Sequence, residues 1–442
     1  MLSSHYPEEA AENGSRRPDD EVKMFQGTRT KLIKGGYMMK KFAGKKDGGQ
    51  KVRSKLVPAL LLLSLFVCRT IFAAGSDPLL DKLVEKGTLT KEEALEIQSK
   101  ETDQLPDYLK GLSVGGLAYI DYSFGTKNEN NTHFNQFSLT RGYINIKDTI
   151  TPWLKARITP DIYTATDGST VLRMKYVYVD YLTPDFGPLT GNDIRIGLGH
   201  TPWLDFEESI NRYRMQGTMF QERSGVSIQN SADFGASILG NFGGTLSKEA
   251  QDAVGSSNYA GKYGTYHIGV YNGSGYHAAE TNQDKPVEGR ITLRPLPEVV
   301  PGLQFTYFGI RGKGNTAVNP NKWIDNTGLV SYQNKIIVLT AEYVGGKGEQ
   351  AGTDEKRHKG YSFFGDFRLP FYDKVSVFGR YDNWTNDVSQ PHDKQLTTIA
   401  GAGYKLYKDN YIVVAYEKIH YQQVTPTKSD DKKGQVVWQV SF

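Results

Sequence analysis

Cysteine is almost absent from this 442-residue chain: its one cysteine is Cys68. Everything downstream of it therefore lacks disulfides, cysteine-ligated metals and covalently attached haem. A membrane-spanning helix is missing too. The single long apolar stretch, LVPALLLLSLFVCRTIFAAGSDP, has an uninterrupted core only from Leu56 to Val67, too short to cross a bilayer as a helix. A basic face is also lacking, despite the sequence pI of about 8.7. Residues 1–74 carry 14 Lys/Arg against 7 Asp/Glu, a surplus of +7 that leaves −3 for the rest of a chain whose total is +4. That balance excludes a phosphate-tracking surface, and with it a nucleic-acid partner. No Gly-x-Ser-x-Gly, phosphate loop or paired-carboxylate motif is present, and His200, His267, His277 and His420 lack the close spacing of a zinc site. The sequence announces neither an enzyme nor a cofactor.

What is present begins with an export signal. Lys51, Arg53 and Lys55 precede the apolar core, and Ala73, Ala74 and Gly75 follow it, the pattern of a cleaved secretory segment. Val67 and Arg69 fit poorly around a lipid-acylated Cys68. Met39 followed by Lys40 and Lys41 makes a natural start. Residues 1–37 then read as an upstream extension and 38–75 as the signal peptide. Residues 76–110 read as a short periplasmic helical hairpin. Leu79, Leu80, Leu83 and Val84 repeat at helical spacing, Gly87 stops them, and Thr90 with Glu93 forms a capping box before Ala94, Leu95 and Ile97.

From residue 111 onward the period changes to two. VEGRITLR sets Val287, Ile291 and Leu293 opposite Glu288, Arg290, Thr292 and Arg294. YSFFGDFRL and VSVFGRYD do the same, as does WLKARITPDI with Leu154, Ile158 and Ile162 against Lys155, Arg157 and Asp161. A soluble sandwich would show such alternation as well. Gly and aromatics on the apolar face, 47 Gly, 27 Tyr and 20 Phe in all, with a mean hydropathy of −0.50, favour a membrane barrel. The fold class is all-β: a transmembrane antiparallel β-barrel over 111–442. Sixteen candidate strands lie at 112–124, 134–148, 153–163, 171–182, 192–200, 233–242, 263–272, 286–295, 302–311, 327–333, 336–346, 359–369, 375–384, 394–406, 411–422 and 434–442. Tight turns such as PFYDK and YKDN alternate with long polar connections such as GSGYHAAETNQDK, as short periplasmic turns and long external loops would. One stretch, residues 243–264, is long on the tight side. Either it is an insertion or the count is off by one hairpin.

The last strand ends in an aromatic ring. Trp438, Val440 and Phe442 share one face, and a closing strand of this kind resembles the signal read by the outer-membrane assembly machinery.

RIGLGHTPWLDFEES, followed by FQERSGV and YHIGVYNGSG, together with FSLTRGYINIKDTITPWLKARITPDI, resembles the phosphate-selective porin family, porins O and P. The resemblance implies a sixteen-stranded homotrimeric barrel in outer-membrane lipid, with a preference for anions or phosphate. Thr201–Ser231, the longest connection, holds Glu207, Glu208, Arg212, Arg214, Glu222 and Arg223. It either folds into the lumen as a charged filter or stays outside as a solvated loop. Expected lumenal charges are Lys155, Arg157, Arg195, Arg290, Arg294, Arg368 and Arg380, alternating with Asp121, Asp161, Glu288, Glu342, Asp366 and Asp382. No basic ladder can be matched residue by residue. Two functions share this architecture: a passive diffusion porin, and a sheath threaded by a multihaem cytochrome from another chain.

Overall fold

The computed structural model describes residues 78–94, 106, 109–127, 132–165, 167–422 and 430–442. The expected extension 1–37 and signal 38–75 lie outside the described residues. Helix α1 (Pro78–Glu85) comes first. The capping box follows as expected: Thr90 N donates to Glu93 Oε2 at 2.8 Å and Glu93 N to Thr90 Oγ1 at 3.1 Å. These bonds, the backbone one foremost, hold the Glu93 carboxyl below its ordinary pKa. Leu95 and Ile97 lie outside the described residues.

Sixteen strands follow: β1 (Leu112–Lys127), β2 (Thr132–Thr151), β3 (Leu154–Thr164), β4 (Thr170–Thr183), β5 (Leu189–His200), β6 (Ala232–Phe242), β7 (Gly264–Tyr271) and β8 (Val287–Leu293). The second half comprises β9 (Leu303–Lys313), β10 (Lys322–Gln333), β11 (Ile337–Lys347), β12 (Arg357–Leu369), β13 (Tyr372–Thr385), β14 (Lys394–Tyr407), β15 (Asn410–Tyr421) and β16 (Asp431–Ser441). Each pairs antiparallel with its neighbour in sequence, and β16 closes on β1 with Val440 opposite Ala118 and Trp438 opposite Ile120. Phe442 N donates to Gly116 O at 3.1 Å and Gly116 N to Phe442 O at 2.9 Å, extending the seam to the last residue. Closure leaves no edge with unpaired backbone groups.

The faces settle the choice between barrel and sandwich. Apolar side chains point outward and are exposed: Leu172 at 57%, Leu293 at 53%, Val414 at 56%. Glu288, Arg290 and Thr292 on β8 and Arg380 and Asp382 on β13 are buried inside. At the tight-turn end, Trp153, Phe186, Tyr263, Phe371, Tyr407 and Phe442 are exposed and form an aromatic girdle. Toward the long-loop end, Phe124, Phe137, Tyr307 and Tyr343 form another.

Residues 243–263 are an insertion, and the strand count holds. Helix α2 (Leu204–Ile210) belongs to the long β5–β6 connection and α3 (Lys248–Val254) to this insertion. Ser247 caps α3 through Ala250 N, and Gly255 ends it in the left-handed conformation at φ 75°. Leu246 and Val254 are buried.

Candidate functional site

The inner wall is divided in character. On β9–β16 it carries large apolar side chains among the polar ones, including Phe308, Trp323, Val344, Phe378, Trp384 and Val413, all buried. On β2–β5 it carries tyrosines and cations. A water-filled lumen would leave the apolar side chains of β9–β16 wet, at a cost of roughly 1.5–3 kcal/mol for each large one. The β5–β6 connection prevents this. Its Trp203, Leu204, Phe206, Ile210, Met219 and Phe220 are all almost fully buried, and it folds into the lumen against the apolar half.

Specific contacts fix it there. Tyr213 stacks on Phe378 at 4.0 Å and its hydroxyl reaches Asp366 and Ser376. Trp203 packs on Phe308, and Phe220 meets Trp384 edge-on. Gln221 Nε2 donates to Glu342 Oε1 at 2.7 Å and Thr327 Oγ1 at 2.9 Å. Arg380, bidentate on Asp382, also donates to Thr218 O at 2.9 Å. Arg223 pairs with Asp382 at 3.3 Å and Glu417 at 3.2 Å, and Arg212 with Asp366 at 3.1 Å. Gln435 Nε2 donates to Gln216 O at 2.8 Å.

The insertion enters from the tight-turn end and meets the loop. Tyr259 packs edge-on against Phe206 and donates to the Asp205 carboxylate. Arg290, fully buried, donates to Pro202 O at 2.9 Å beneath the Phe206 and Tyr259 rings. Arg294 donates to the carbonyls of Gly261 and Tyr259.

Opposite the loop, β2–β5 present alternating rings and cations. Arg173 lies over Tyr163 at 4.1 Å and Tyr276 at 4.8 Å and pairs with Asp161 at 2.8 Å. Lys175 donates to Tyr143 Oη at 3.0 Å. Arg157 lies 4.6 Å from the Tyr176 ring and donates to Asn145 Oδ1 at 2.8 Å. Arg195 lies over Tyr178 and is bidentate on Asp180. Arg157 can only donate, so the His200 Nε2 it meets at 3.0 Å accepts, and the ring proton sits on Nδ1, 2.7 Å from Asp205. The loop shows acids to this wall. Glu222 lies 3.7 Å from Arg141 of β2, and Arg214 bridges Glu208 and Glu222. Seven inward cations on β2–β5 (Arg141, Lys147, Lys155, Arg157, Arg173, Lys175, Arg195) accompany three inward acids, Asp161, Asp180 and Asp193. On the loop, Asp205, Glu208 and Glu222 outnumber Arg214. The two sets of charges meet directly, at Arg141–Glu222 and His200–Asp205, with a transverse field between loop and wall.

The expected residues separate accordingly. Glu208, Arg214 and Glu222 lie on this loop–wall contact. Arg212 and Arg223 turn to the opposite wall, and Glu207 accepts from Trp203 Nε1 at 3.0 Å within its own helix. Arg157 and Arg195 lie on the inner wall with Asn145 and Asp180, whereas Arg290, Arg294 and Arg380 anchor the two inserted segments. Lys155 and Arg368 keep the inward phase of their strands, opposite Asp180 and Ser376, but sit at the tight-turn mouth of the lumen, Lys155 exposed and Arg368 donating to Lys335 O at 3.5 Å. Glu342, Asp366 and Asp382 bind the loop, while Asp121 and Glu288 are buried on the wall.

Arg141, Arg173 and Lys175 escape a strict period of two. Pro160 of β3 has no N–H to donate, and opposite it the register slips so that Lys175 and Tyr176 both turn inward. A second slip between Tyr119 and Ile120 resets β2 just before Arg141.

No protein-family profile and no curated protein sequence matches the chain. Among solved structures, OmpF of Salmonella typhi in complex with daunomycin superposes with a TM-score of 0.52 at 12% identity, covering 75% of this chain and 97% of that one. Pseudomonas putida OprB, in its high-pH structure, gives 0.52 at 10% identity, over 78% of this chain and 97% of that one. At these identities the likeness is one of fold: a closed sixteen-stranded antiparallel barrel.

Proposed function

We propose that the chain is an outer-membrane porin that lets small hydrophilic solutes diffuse passively, with a mild preference for anions. One observation carries the reading. A closed barrel shows oil to the outside, and its own loop covers the apolar half of the lumen and turns its acids toward the charged face of β2–β5. Long connections then face the exterior and tight turns the periplasm. The anion preference rests on the cation excess of the wall.

Phosphate selectivity is the finer expectation drawn from the resemblance to porins O and P. It would need converging cations free of acids, and Arg141, Arg173 and Arg195 are already engaged by Glu222, Asp161 and Asp180. Among the described residues, Lys147, Lys155, Arg157 and Lys175 are the inward cations of β2–β5 with no carboxylate paired to them, and they remain for an oxyanion. Trimerisation and recognition of Trp438, Val440 and Phe442 by the assembly machinery belong to the same proposal. The sheath reading fares worse, because Thr201–Ser231 and the β6–β7 insertion occupy the space a threaded cytochrome would need.

The test is a planar-bilayer recording of the purified protein alone. Discrete conductance steps are expected, with a reversal potential displaced toward the anion in a KCl gradient. A folded barrel that never conducts would remove the porin reading, and one that co-purifies with a haem protein would restore the sheath.

A further inference from the structure

The outer face of β9–β12 differs from the rest of the wall. Its strand register arranges outward residues in rows across four strands. At the long-loop end, Arg311, Ile324, Lys347 and Arg357 stand side by side, and the next row is Gly309, Asn326, Gly345 and Lys359. Below them come Tyr307, Gly328, Tyr343 and Tyr361, then Phe305, Val330, Ala341 and Phe363. Neighbours in a row are about 5 Å apart. Charge thus gives way to aromatic and small residues, then to pure hydrocarbon, within four rows. At the tight-turn end of the same strands the outward residues, among them Leu303, Tyr332, Ile337 and Phe367, carry no charge.

A groove follows this gradient. Gly328 leaves a gap between the Tyr307 and Tyr343 rings, where a side chain would meet nothing within 4 Å, and the Tyr343 ring lies over Gly345. The upper part, of about 630 Å3, is bordered by Lys347, Arg357 and Lys359. It continues past Gly328 into an apolar trough of about 680 Å3 bordered by Phe305, Val330 and Phe363.

The cations are placed for a ligand outside the barrel. Arg311 donates to Ile310 O, Asp325 O and Asn326 Oδ1 at 2.7–2.9 Å, and Tyr307 Oη holds the same Asn326 oxygen at 2.7 Å. Arg357 and Lys359 are exposed and, among the described residues, pair with no carboxylate, while Lys347 shares Glu355 at 3.1 Å. Every acid on these strands (Asp325, Glu342, Asp366) turns into the lumen. Their outward positions carry none.

We infer that this face binds a phosphorylated lipid of the outer leaflet, its phosphate on Arg311, Lys347, Arg357 and Lys359 and an acyl chain in the trough between Tyr307 and Tyr343. Charge complementarity selects the occupant. The clustered cations need an anion at headgroup depth, and the hydrocarbon directly beneath them needs an apolar chain attached to it. A second copy of this chain, docking through the outer face of these same strands, would bring more cations and no acid. The inference rests on the outer-membrane reading.

The experiment is native mass spectrometry of the purified protein in neutral detergent, titrated with bisphosphorylated lipid A and with its dephosphorylated form. Each preparation is also recorded in a neutral-lipid planar bilayer. One-to-one retention of the phosphorylated lipid is expected. Arg357→Gln with Lys359→Gln should weaken it about tenfold or more through lost charge-assisted bonds. Gly328→Phe, which fills the trough without touching the cations, should weaken both lipids. Equal retention of the two lipids by the wild type, unchanged retention by the variants, or cross-linking of Gly328→Cys to its counterpart in a second copy would overturn the proposal. Conductance separates the two failures: a conducting barrel that ignores the lipid sinks this site alone, and a silent one sinks the porin reading.

Discussion

Replacing Glu208 and Glu222 together by glutamine should turn the barrel strongly toward anions. On the proposed path both carboxylates lie where the loop faces β2–β5; Arg214 bridges them and Arg141 approaches Glu222 at 3.7 Å. An ion passing roughly 6 Å from each carboxylate feels ~1.4 kcal/mol in water, which screening at 0.1 M cuts to ~0.8 kcal/mol. Removing the acids helps the anion and hinders the cation by like amounts, so their permeability ratio shifts by about 1.6 kcal/mol, roughly tenfold. From a balanced start this moves the reversal potential by about 40 mV in a tenfold KCl gradient. The assay is single-channel recording of wild type and variant under the same gradient, with unheated gel mobility to confirm the fold. A shift below about twofold in a conducting variant would refute the reasoning, because ions would then be passing somewhere other than between the loop and β2–β5.

Arg214→Ala should shift selectivity toward cations, whereas Arg212→Ala should leave selectivity nearly unchanged. The second change should instead cost about 3 kcal/mol of stability, measured by urea unfolding, because it strips the buried Asp366 of its cation and leaves it only the Tyr213 hydroxyl. Replacing Leu246–Tyr259 by Gly-Gly keeps the Thr245–Gly261 bridge at the strand ends. The barrel should still form and conduct more, and an unchanged conductance would show that the insertion does not narrow the path. Gly125→Val should lower the temperature at which the folded gel band is lost, by ~1–3 kcal/mol of overpacking, since a Cβ there meets the Lys432 backbone carbonyl across the closing seam.

The architecture was legible because alternation is rigid. A strand that shows Leu293 and Ile291 to lipid must show Arg290 and Thr292 to the lumen, and sixteen such segments with a terminal strand leave closure as the answer. The passage was less legible for three physical reasons. Bulges near Pro160 and Tyr119 break the alternation where Arg141 and Lys175 turn inward. Cations of one sequence pattern divide by tertiary contact, so Arg157 stays with its neighbours on the β2–β5 wall while Arg290 and Arg380 clamp chain segments. Phe308, Trp323 and Trp384 on inward positions were a signal that something must cover them, and the apolar residues of Thr201–Ser231 were their complement. The insertion helix had its own marks in Ser247 and Gly255, a cap at each end.

The path itself is open to one direct measurement. With Cys68 replaced by serine, Glu222→Cys would carry the barrel's single thiol, and its single-channel current can be followed before and after a bulky, water-soluble thiol reagent is added. A path between the loop and the β2–β5 wall requires the current to fall sharply on modification. Full labelling with no change in current would place the path elsewhere, or show that the barrel has none.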